Sequence, residues 1–460
     1  MSVQNRRLWA GIVCVAAAAA VGFGLAEARS PSPDATAAKI GFTKGPYLQG
    51  LGATSVTVKV EIPTAAPARL EVHAPGEATV TRAVTSAGDA TFHALRVDGL
   101  RPAQSYEYVV SAGGAISERG RFTTAPDDTR PFRFLAYGDN RSDEAAHASV
   151  VRAMSRVPAD FLINTGDMVA RGTDPADWRT FFTVEGALLR DRCLFAAVGN
   201  HELYRGDRAG EVAFLRYFGG IEQGRELTRL YGTFRWSNTR FFVLNAMDTW
   251  TGDEREWLRA ELDRALAEPG LAHRIAVMHH GPFSAGPHGG NAALAKGDVI
   301  ALMRDRKVDL VLAGHDHVYE RGEGEGLKYL VTGGGGAPLY QKKYELKETR
   351  AFEPAHHFVE ITVDGDKLRA VAHRASGGIL EACGFTGASG WDCDAAPAAV
   401  EPARGEQGDR PTPPRSTPAS SARAGLGCGC ALPGDAPVTS GGPAALIAAA
   451  LMALSRRRRR

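Results

Sequence analysis

Five short apolar segments in this 460-residue chain each end in side chains that can bind a metal ion. The residues at these ends are Asp139, Asp167, Asn200, His279, His315 and His317. A single Gly-Asp pair usually marks a turn, but five such segment ends are hard to explain as turns. Because the carboxyl ends of strands in an open α/β sheet converge on one crevice, we expect these side chains to meet there.

The types of donor predict which ions bind and what they do. Two carboxylates, one amide and three imidazoles suit Mn²⁺, Fe²⁺ or Zn²⁺ and are poor ligands for Ca²⁺. One carboxylate can bridge two divalent ions, and the loaded site would keep about two positive charges, which attract phosphate and acidify a shared water. The expected cofactor is a pair of divalent transition-metal ions holding a bridging hydroxide, an arrangement suited to the hydrolysis of phosphate esters.

An α/β domain is expected to position these side chains. From residue 131 onward, apolar segments of strand length alternate with amphipathic helical stretches. The predicted strands are 132–137, 161–164, 357–363 and 367–373, and the predicted helices are 144–157 and 254–267. In the second helix, the apolar face consists of Trp257, Leu258, Leu262 and Leu266.

The segment over 41–126 has a different pattern. Residues 54–62 and 105–112 alternate apolar and polar side chains, which predicts two half-buried strands, and the segment shows no helical periodicity. Short Pro and Gly turns between the strands predict a small β-sandwich. Residues 100–102 followed by Tyr106 resemble the tyrosine corner of an immunoglobulin-like or fibronectin type III module. Such a module could bind a ligand, but we favour a spacer because a fold does not fix a function.

The N-terminus has the layout of a secretory signal peptide over 1–28. Arg6 and Arg7 precede an apolar stretch that ends at small residues around Ala28. The alternative is an N-terminal membrane helix, and the paired arginines also occur in twin-arginine export signals. We expect the mature protein to begin near Arg29.

The C-terminal segment over 428–460 resembles the myxobacterial C-terminal sorting signal. Cys428 and Cys430 precede five terminal arginines and an apolar stretch shorter than the ~20 residues that a spanning helix needs. The resemblance implies processing near Cys428 and retention at the cell surface, with a plain tail anchor as the alternative. Six prolines in residues 397–427 predict a disordered linker. The expected location is therefore the periplasm or cell surface, in contact with the envelope membrane through this tail.

The composition is that of a globular protein and gives no indication of nucleic-acid binding. With 44% hydrophobic residues, the chain can form a large core. The formal net charge of +2 includes five terminal arginines, so the rest is slightly acidic and gives no indication of nucleic-acid binding. Cys383 and Cys393 flank a Gly-rich loop and could pair in an oxidising compartment, whereas Cys193 is expected to be buried.

The ordered motifs resemble those of a known superfamily. The motifs are Gly138-Asp139, Gly166-Asp167, Gly199-Asn200-His201-Glu202, His279 and Gly314-His315-Asp316-His317. They resemble the calcineurin-like metallophosphoesterase superfamily. With the β-sandwich and the segment Lys44–Gln49 in front, residues 42–375 are most similar to purple acid phosphatases. The resemblance implies an all-β, fibronectin III-like sandwich over 40–127. An α/β metallophosphoesterase domain of two packed mixed sheets flanked by helices would follow over 131–396.

The resemblance also implies a role for each motif residue. The first metal would be held by Asp139, the bridging Asp167 and His317, and the second by Asp167, Asn200, His279 and His315. His280 competes with His279 for one ligand role, because the His-His pair leaves the register of the strand ambiguous. Adjacent strand residues point to opposite faces, so only one of the two should coordinate. His201 would lie outside the metal shell, where it could stabilise the transition state or protonate the leaving oxygen.

Two positions depart from the family pattern. Ala170 replaces a tyrosine ligand, and Arg141 replaces a histidine ligand that many relatives have, although a guanidinium has no lone pair to donate. The first metal is therefore expected to have three protein ligands. Arg141 would face the crevice and bind phosphate oxygens, or would pair with a nearby carboxylate.

The expected function is hydrolysis of phosphate esters. The resemblance to purple acid phosphatases favours phosphomonoesters over phosphodiesters. The alternatives are a phosphodiesterase and a surface binding module that carries an inert metal site. Retention of six ligands together with His201 favours an enzyme, because an idle site has no physical reason to keep this mixture of residues.

Overall fold

The computed structural model of the protein describes residues 41–206, 208–222, 228–247 and 252–395. The expected signal peptide over 1–28, linker over 397–427 and tail over 428–460 lie outside the described residues. Within the described ranges, no helix combines the length and the apolar character needed to cross a membrane.

The N-terminal part of the described chain is all-β. Its strands are β1 (Lys44–Gln49), β2 (Ser55–Ala66), β3 (Ala68–His73), β4 (Val80–Thr85), β5 (Ala90–Asp98), β6 (Ser105–Ala112), β7 (Ala115–Ile116) and β8 (Gly120–Thr123). One sheet has the order β1-β2-β5, and the other has the order β4-β3-β6-β7, with β8 also paired to β6. The backbone N–H of Arg101 donates to Tyr106 Oη at 3.0 Å, the contact expected of a tyrosine corner. The predicted strands are confirmed, while the fibronectin type III identity stays a prediction.

Strand β2 is buried on both faces over its first half, which differs from the predicted half-buried strand. Its polar residues Thr57 and Lys59 are buried together with Val58 and Val60. On the polar face, Lys59 Nζ donates a hydrogen bond of 2.9 Å to the carbonyl of Arg216, which lies in a helix of the α/β part. This bond offsets part of the cost of burying the ammonium group.

The α/β part contains two mixed seven-stranded sheets. The first has the order β11-β10-β9-β19-β20-β21-β22, with β9 (Phe132–Tyr137), β10 (Phe161–Asn164), β11 (Cys193–Ala196), β19 (His357–Asp364), β20 (Lys367–Arg374), β21 (Ile379–Thr386) and β22 (Asp392–Cys393). The second has the order β12-β13-β14-β15-β17-β16-β18, with β12 (Gly232–Trp236), β13 (Thr239–Val243), β14 (His273–Val277), β15 (Leu310–Ala313), β16 (Tyr319–Gly324), β17 (Leu327–Thr332) and β18 (Thr349–Glu353). The flanking helices are α1 (Glu144–Met154), α2 (Pro175–Asp191), α3 (Arg208–Phe218), α4 (Gly252–Ala267), α5 (Ala292–Lys296) and α6 (Val299–Asp305).

The two sheets pack face to face through aromatic side chains. Phe134 and Phe161 of the first sheet lie with ring centroids 5.3 and 5.6 Å from Phe241 of the second. The adjacent residues Leu135 and Leu162 belong to a second buried cluster, which includes side chains of α1 and α2. The central strands are therefore apolar on both faces, which is why they are continuous apolar segments in the sequence.

The predicted elements agree with the structure except at some boundaries. Helix α1 ends at Met154 instead of residue 157, and Pro158 disfavours helical backbone at the residue before it. Helix α4 ends where predicted, but Leu266 is exposed instead of completing the apolar face.

The cysteine predictions are confirmed in the described residues. Cys383 in β21 and Cys393 in β22 form a disulfide, which joins the edge strand β22 of the first sheet to its antiparallel neighbour. Cys193 is a free thiol buried in β11. Its burial raises the pKa of the thiol to about 12, so it is not a reactive thiolate.

Candidate metal centre

The metal-competent side chains follow strand ends of both sheets. Asp139, Asp167 and Asn200 come after β9, β10 and β11, which are parallel neighbours in the first sheet. His279 comes after β14 and the pair His315 and His317 after β15, which are parallel neighbours in the second. Ligand atoms of Asp139, Asp167 and His279 lie within 4.8 Å of one another, and all three residues are buried. The structure therefore brings the strand ends together as the sequence predicts.

The backbone at three of these residues lies in the left-handed region. Asp139 has φ of 56°, Asp167 of 55° and His315 of 73°. Such conformations cost on the order of 1–3 kcal/mol for residues other than glycine and persist where the surroundings fix them. Here the backbone N–H of His315 donates to Asp139 Oδ2, and that of His201 donates to Asp167 Oδ1, each at 2.9 Å. Each of these hydrogen bonds thus links a carboxylate on one turn to the backbone of another turn at the site.

Glycines allow the chain segments to approach this closely. A Cβ on Gly314 would lie 2.4 Å from Asp139 Oδ2, and a Cβ on Gly199 would lie 2.2 Å from Asp167 Oδ1. At both positions, a larger side chain would collide with a carboxylate of the site.

Four side chains form what we call the second donor set, namely Asp167, Asn200, His279 and His315. His279 Nδ1 donates to the carbonyl of Thr165 at 2.9 Å, so its Nε2 faces the site. That Nε2 lies 3.0 Å from Asn200 Oδ1, 3.2 Å from His315 Nδ1 and 3.4 Å from Asp167 Oδ1. His280 instead places its Nε2 3.3 Å from the carbonyl of Gly289. Of the two adjacent histidines, the geometry therefore places His279 in the site.

Three side chains form the first donor set, namely Asp139, Asp167 and His317. His317 Nδ1 donates to the carbonyl of Pro338 at 2.7 Å, and its Nε2 lies 3.6 Å from Asp139 Oδ1. Arg141 also contacts this set: its Nε donates to Asp167 Oδ2 at 3.2 Å. Of the two predicted roles of Arg141, the structure shows the pairing with a carboxylate.

The residues present fit a divalent ion. Oδ1 of Asp139 is buried and has no hydrogen-bond partner within the described part of the chain. Burial and the neighbouring Asp167 raise the pKa of the Asp139 carboxyl well above its usual range, although His279 and Arg141 oppose this. A buried carboxylate oxygen without a hydrogen-bond partner is costly, and a bound cation would compensate this cost. Imidazole and carboxylate donors are the types that Mn²⁺, Fe²⁺ and Zn²⁺ accept.

His201 lies at the edge of the donor sets. Its Nδ1 donates to the carbonyl of Ala170 at 2.7 Å, which fixes the ring and directs Nε2 toward the site. Nε2 lies 3.9 Å from Asp167 Oδ2, which is beyond hydrogen-bond distance. The partly exposed ring is thus oriented for contact with a substrate.

Sequence analysis assigned no role to Glu202, although it belongs to the Gly-Asn-His-Glu motif. Its buried carboxylate accepts the backbone N–H groups of Gly199, Asp167 and Val169 at 2.7, 2.9 and 3.2 Å. Burial, followed by repulsion from Asp167, raises its pKa to about 7. Glu202 therefore ties together the two loops that present Asp167 and Asn200.

A second missed contact involves Asp316 of the Gly-His-Asp-His motif. Asp316 is buried and accepts hydrogen bonds from Ser284 Oγ at 2.5 Å and from His288 Nδ1 at 2.8 Å. The ring of His288 is 39% exposed and lies 4.3 Å from that of His315. The structure therefore places His288 beside the metal-competent residues.

Residues 132–319 match the family model for calcineurin-like phosphoesterase. The chain carries a calcineurin-like phosphoesterase domain. The matched range contains every residue of both donor sets, together with Arg141 and His201.

Curated relatives match part of the chain at low identity. A protein of Mycobacterium tuberculosis, named as uncharacterized, is 26% identical over 258 residues, which are 48% of this chain and 49% of the relative. The chain thus spans about half the length of the mycobacterial proteins that it matches. Purple acid phosphatase 3 of Arabidopsis thaliana is 26% identical over 317 residues, which are 59% of this chain and 82% of the relative.

Two solved structures share the fold. A purple acid phosphatase, PPD1, from yellow lupin (Lupinus luteus) seeds superposes with a TM-score of 0.63 at 16% identity, over 75% of this chain and 74% of that one. PhoD superposes with a TM-score of 0.62 at 14% identity, over 79% of this chain and 94% of that one. The predicted arrangement of mixed sheets flanked by helices is therefore confirmed.

Proposed function

We propose that this protein hydrolyses phosphate esters, preferably phosphomonoesters, at a divalent metal centre. The observation that carries the proposal is the convergence of Asp139, Asp167 and His279 within 4.8 Å inside a calcineurin-like phosphoesterase domain. The similarity to purple acid phosphatases supports monoesters over diesters.

The donor types support Mn²⁺, Fe²⁺ or Zn²⁺, and we propose two such ions in the metal-saturated protein. When bound, divalent ions supply an activated water and the positive charge that phosphoester hydrolysis requires. Asp139 and Asp167 would hold this charge in place, since backbone N–H groups fix both carboxylates. The second donor set would hold its ion with four side chains, and the first donor set would hold its ion with three.

His201 is the proposed proton donor. Because Nδ1 donates to Ala170, a protonated ring presents a second N–H at Nε2, directed toward the site. This proton can pass to the leaving-group oxygen as the phosphorus–oxygen bond breaks. Arg141, with its planar fork, is the proposed contact for phosphate oxygens once substrate is present.

The test is hydrolysis by the metal-stripped full chain after each metal is returned. We expect p-nitrophenyl phosphate turnover that depends on Mn²⁺, Fe²⁺ or Zn²⁺ and that exceeds turnover of bis(p-nitrophenyl) phosphate. Preference for the diester would favour the phosphodiesterase alternative. Tight metal binding without turnover of either substrate would favour a surface binding module with an inert site.

We also propose that the chain consists of a sandwich over 40–127 and a phosphoesterase domain over 131–396. We further propose that it is exported to the periplasm or cell surface. The disulfide Cys383–Cys393 supports an oxidising compartment. Mass spectrometry of the mature protein checks the proposal, because the chain should begin near Arg29. An intact N-terminus would contradict it.

A further inference from the structure

The guanidinium of Arg141 joins two members of the first donor set. Its Nε donates to Asp167 Oδ2 at 3.2 Å, and its Nη2 lies 3.3 Å from His317 Nε2. Since His317 Nδ1 already donates to the carbonyl of Pro338, the Nε2 lone pair accepts the guanidinium hydrogen. Two of the three lone pairs that an ion would need at this set are therefore engaged by Arg141.

Neighbouring side chains hold Arg141 and His317 in place. The side chain is 15% exposed, and its Nη1 lies 3.2 Å from Ser142 Oγ. The ring of Tyr340 stacks on His317 with centroids 4.2 Å apart and covers one face of the imidazole. A guanidinium stays charged at any ordinary pH, so it is a permanent cation at this place.

Arg141 contacts only the shared member of the second donor set, Asp167. Across the described residues, no Lys or Arg side chain forms an ion pair or a side-chain hydrogen bond with Asn200, His279 or His315. The guanidinium charge therefore lies on the first donor set, and the three unshared members of the second set have no such contact.

We infer that the Arg141 guanidinium is the resident cation of the first donor set. The protein then binds one divalent ion tightly at the second set, and a second ion weakly, because that ion must displace Arg141 from Asp167 and His317. This inference rests on the proposed function, since it specifies how the same metal centre is loaded. The fraction of protein that holds two ions then depends on the metal concentration.

The test is titration of the metal-stripped full chain with Mn²⁺, following free Mn²⁺ by its electron paramagnetic resonance signal. The wild type should bind one equivalent tightly and a second at least about tenfold more weakly. Arg141→Gln removes the charge while keeping a polar side chain, and should tighten the second step about tenfold or more without weakening the first. Arg152→Gln, a matched change at an exposed position of α1, should titrate like the wild type.

Two equal tight steps in the wild type would overturn the inference, as would an unchanged second step in Arg141→Gln. Retention of the first step in that variant shows that it has folded. If the variant does not fold, crystals of the wild type decide instead. With one equivalent of Mn²⁺, the contact of Arg141 with Asp167 should remain, and its loss at one equivalent would overturn the inference. Failure of the proposed function looks different, because then no Mn²⁺ binds or the loaded protein hydrolyses no phosphate ester.

Discussion

Glu202 is expected to hold the candidate metal centre together, although it contacts no metal. Its carboxylate accepts three buried backbone N–H groups, from Gly199, Asp167 and Val169. Gly199 directly precedes Asn200, so the loops that these bonds join present two donors of the site. Removing the acceptor should lower both the stability and the affinity for metal.

The magnitude follows from the number of bonds. A buried donor left without a partner costs ~1–3 kcal/mol, so Glu202→Ala, which orphans three, should lower the free energy of unfolding by at least about 3 kcal/mol. Glu202→Gln should cost less, because two of the three N–H groups bond to Oε2 and an amide oxygen there would keep both. Only the bond to Val169 is then lost, for about 1–3 kcal/mol. The pKa of Glu202 near 7 makes glutamine a reasonable mimic of its neutral form.

The measurements are urea unfolding of the metal-free chains and the Mn²⁺ content after dialysis, by mass spectrometry. The expected order of stability and metal content is wild type, Glu202→Gln, Glu202→Ala. Glu345→Ala is the matched control, since this exposed carboxylate pairs only with Lys342 in the described residues, and its removal should change stability by at most about 0.5 kcal/mol. If Glu202→Ala stays within about 1 kcal/mol of the wild type and keeps its metal, the reasoning is refuted.

Three further changes test other parts of the structure. Asp167→Asn, which keeps the shape but removes the bridging charge, should lose bound metal and p-nitrophenyl phosphate turnover together, and full activity would exclude Asp167 as a ligand. His201→Ala should keep its metal while kcat falls ~10²–10⁴-fold, with a larger loss for an alkyl phosphate than for p-nitrophenyl phosphate, whose leaving group barely needs a proton. Loss of metal would instead make His201 a ligand. Replacing Cys383 and Cys393 by serine should cost about 2–3 kcal/mol for a loop this short and lower Tm with turnover at 25 °C retained, so an unchanged Tm would contradict it.

The fold was readable from the sequence where local pattern and tertiary environment agree. Strands β9 and β10 begin and end as predicted because they are buried on both faces, so each is one uninterrupted apolar segment. Strand β2 was misjudged because its polar residue Lys59 looks solvent-facing in an alternating pattern. The sequence does not show that Arg216 at the end of α3 supplies a carbonyl partner for this side chain.

The candidate site was readable as a set of residue types, but not as a set of contacts. Asp139, Asp167 and His279 could be selected because each lies at the end of a short apolar segment of the sequence. The partners of Arg141 could not be predicted in this way, since Asp167 and His317 lie 26 and 176 positions from Arg141 in the chain. Their geometry depends on how the two sheets are packed, which no local pattern encodes.

The position of the metal centre between the two sheets also couples metal binding to folding. Asp139 and Asp167 come from the first sheet and His279 from the second, so their convergence exists only when the sheets are packed. In the metal-free protein, burial and repulsion from Asp167 raise the pKa of Asp139, which means that the charged form of Asp139 opposes this convergence. A ligand that binds only the folded arrangement stabilises it by RT ln(1 + [L]/Kd), about 2.7 kcal/mol at a hundred times Kd. Divalent ions should therefore help to hold the sheets together as well as support hydrolysis, because both effects come from the same two carboxylates.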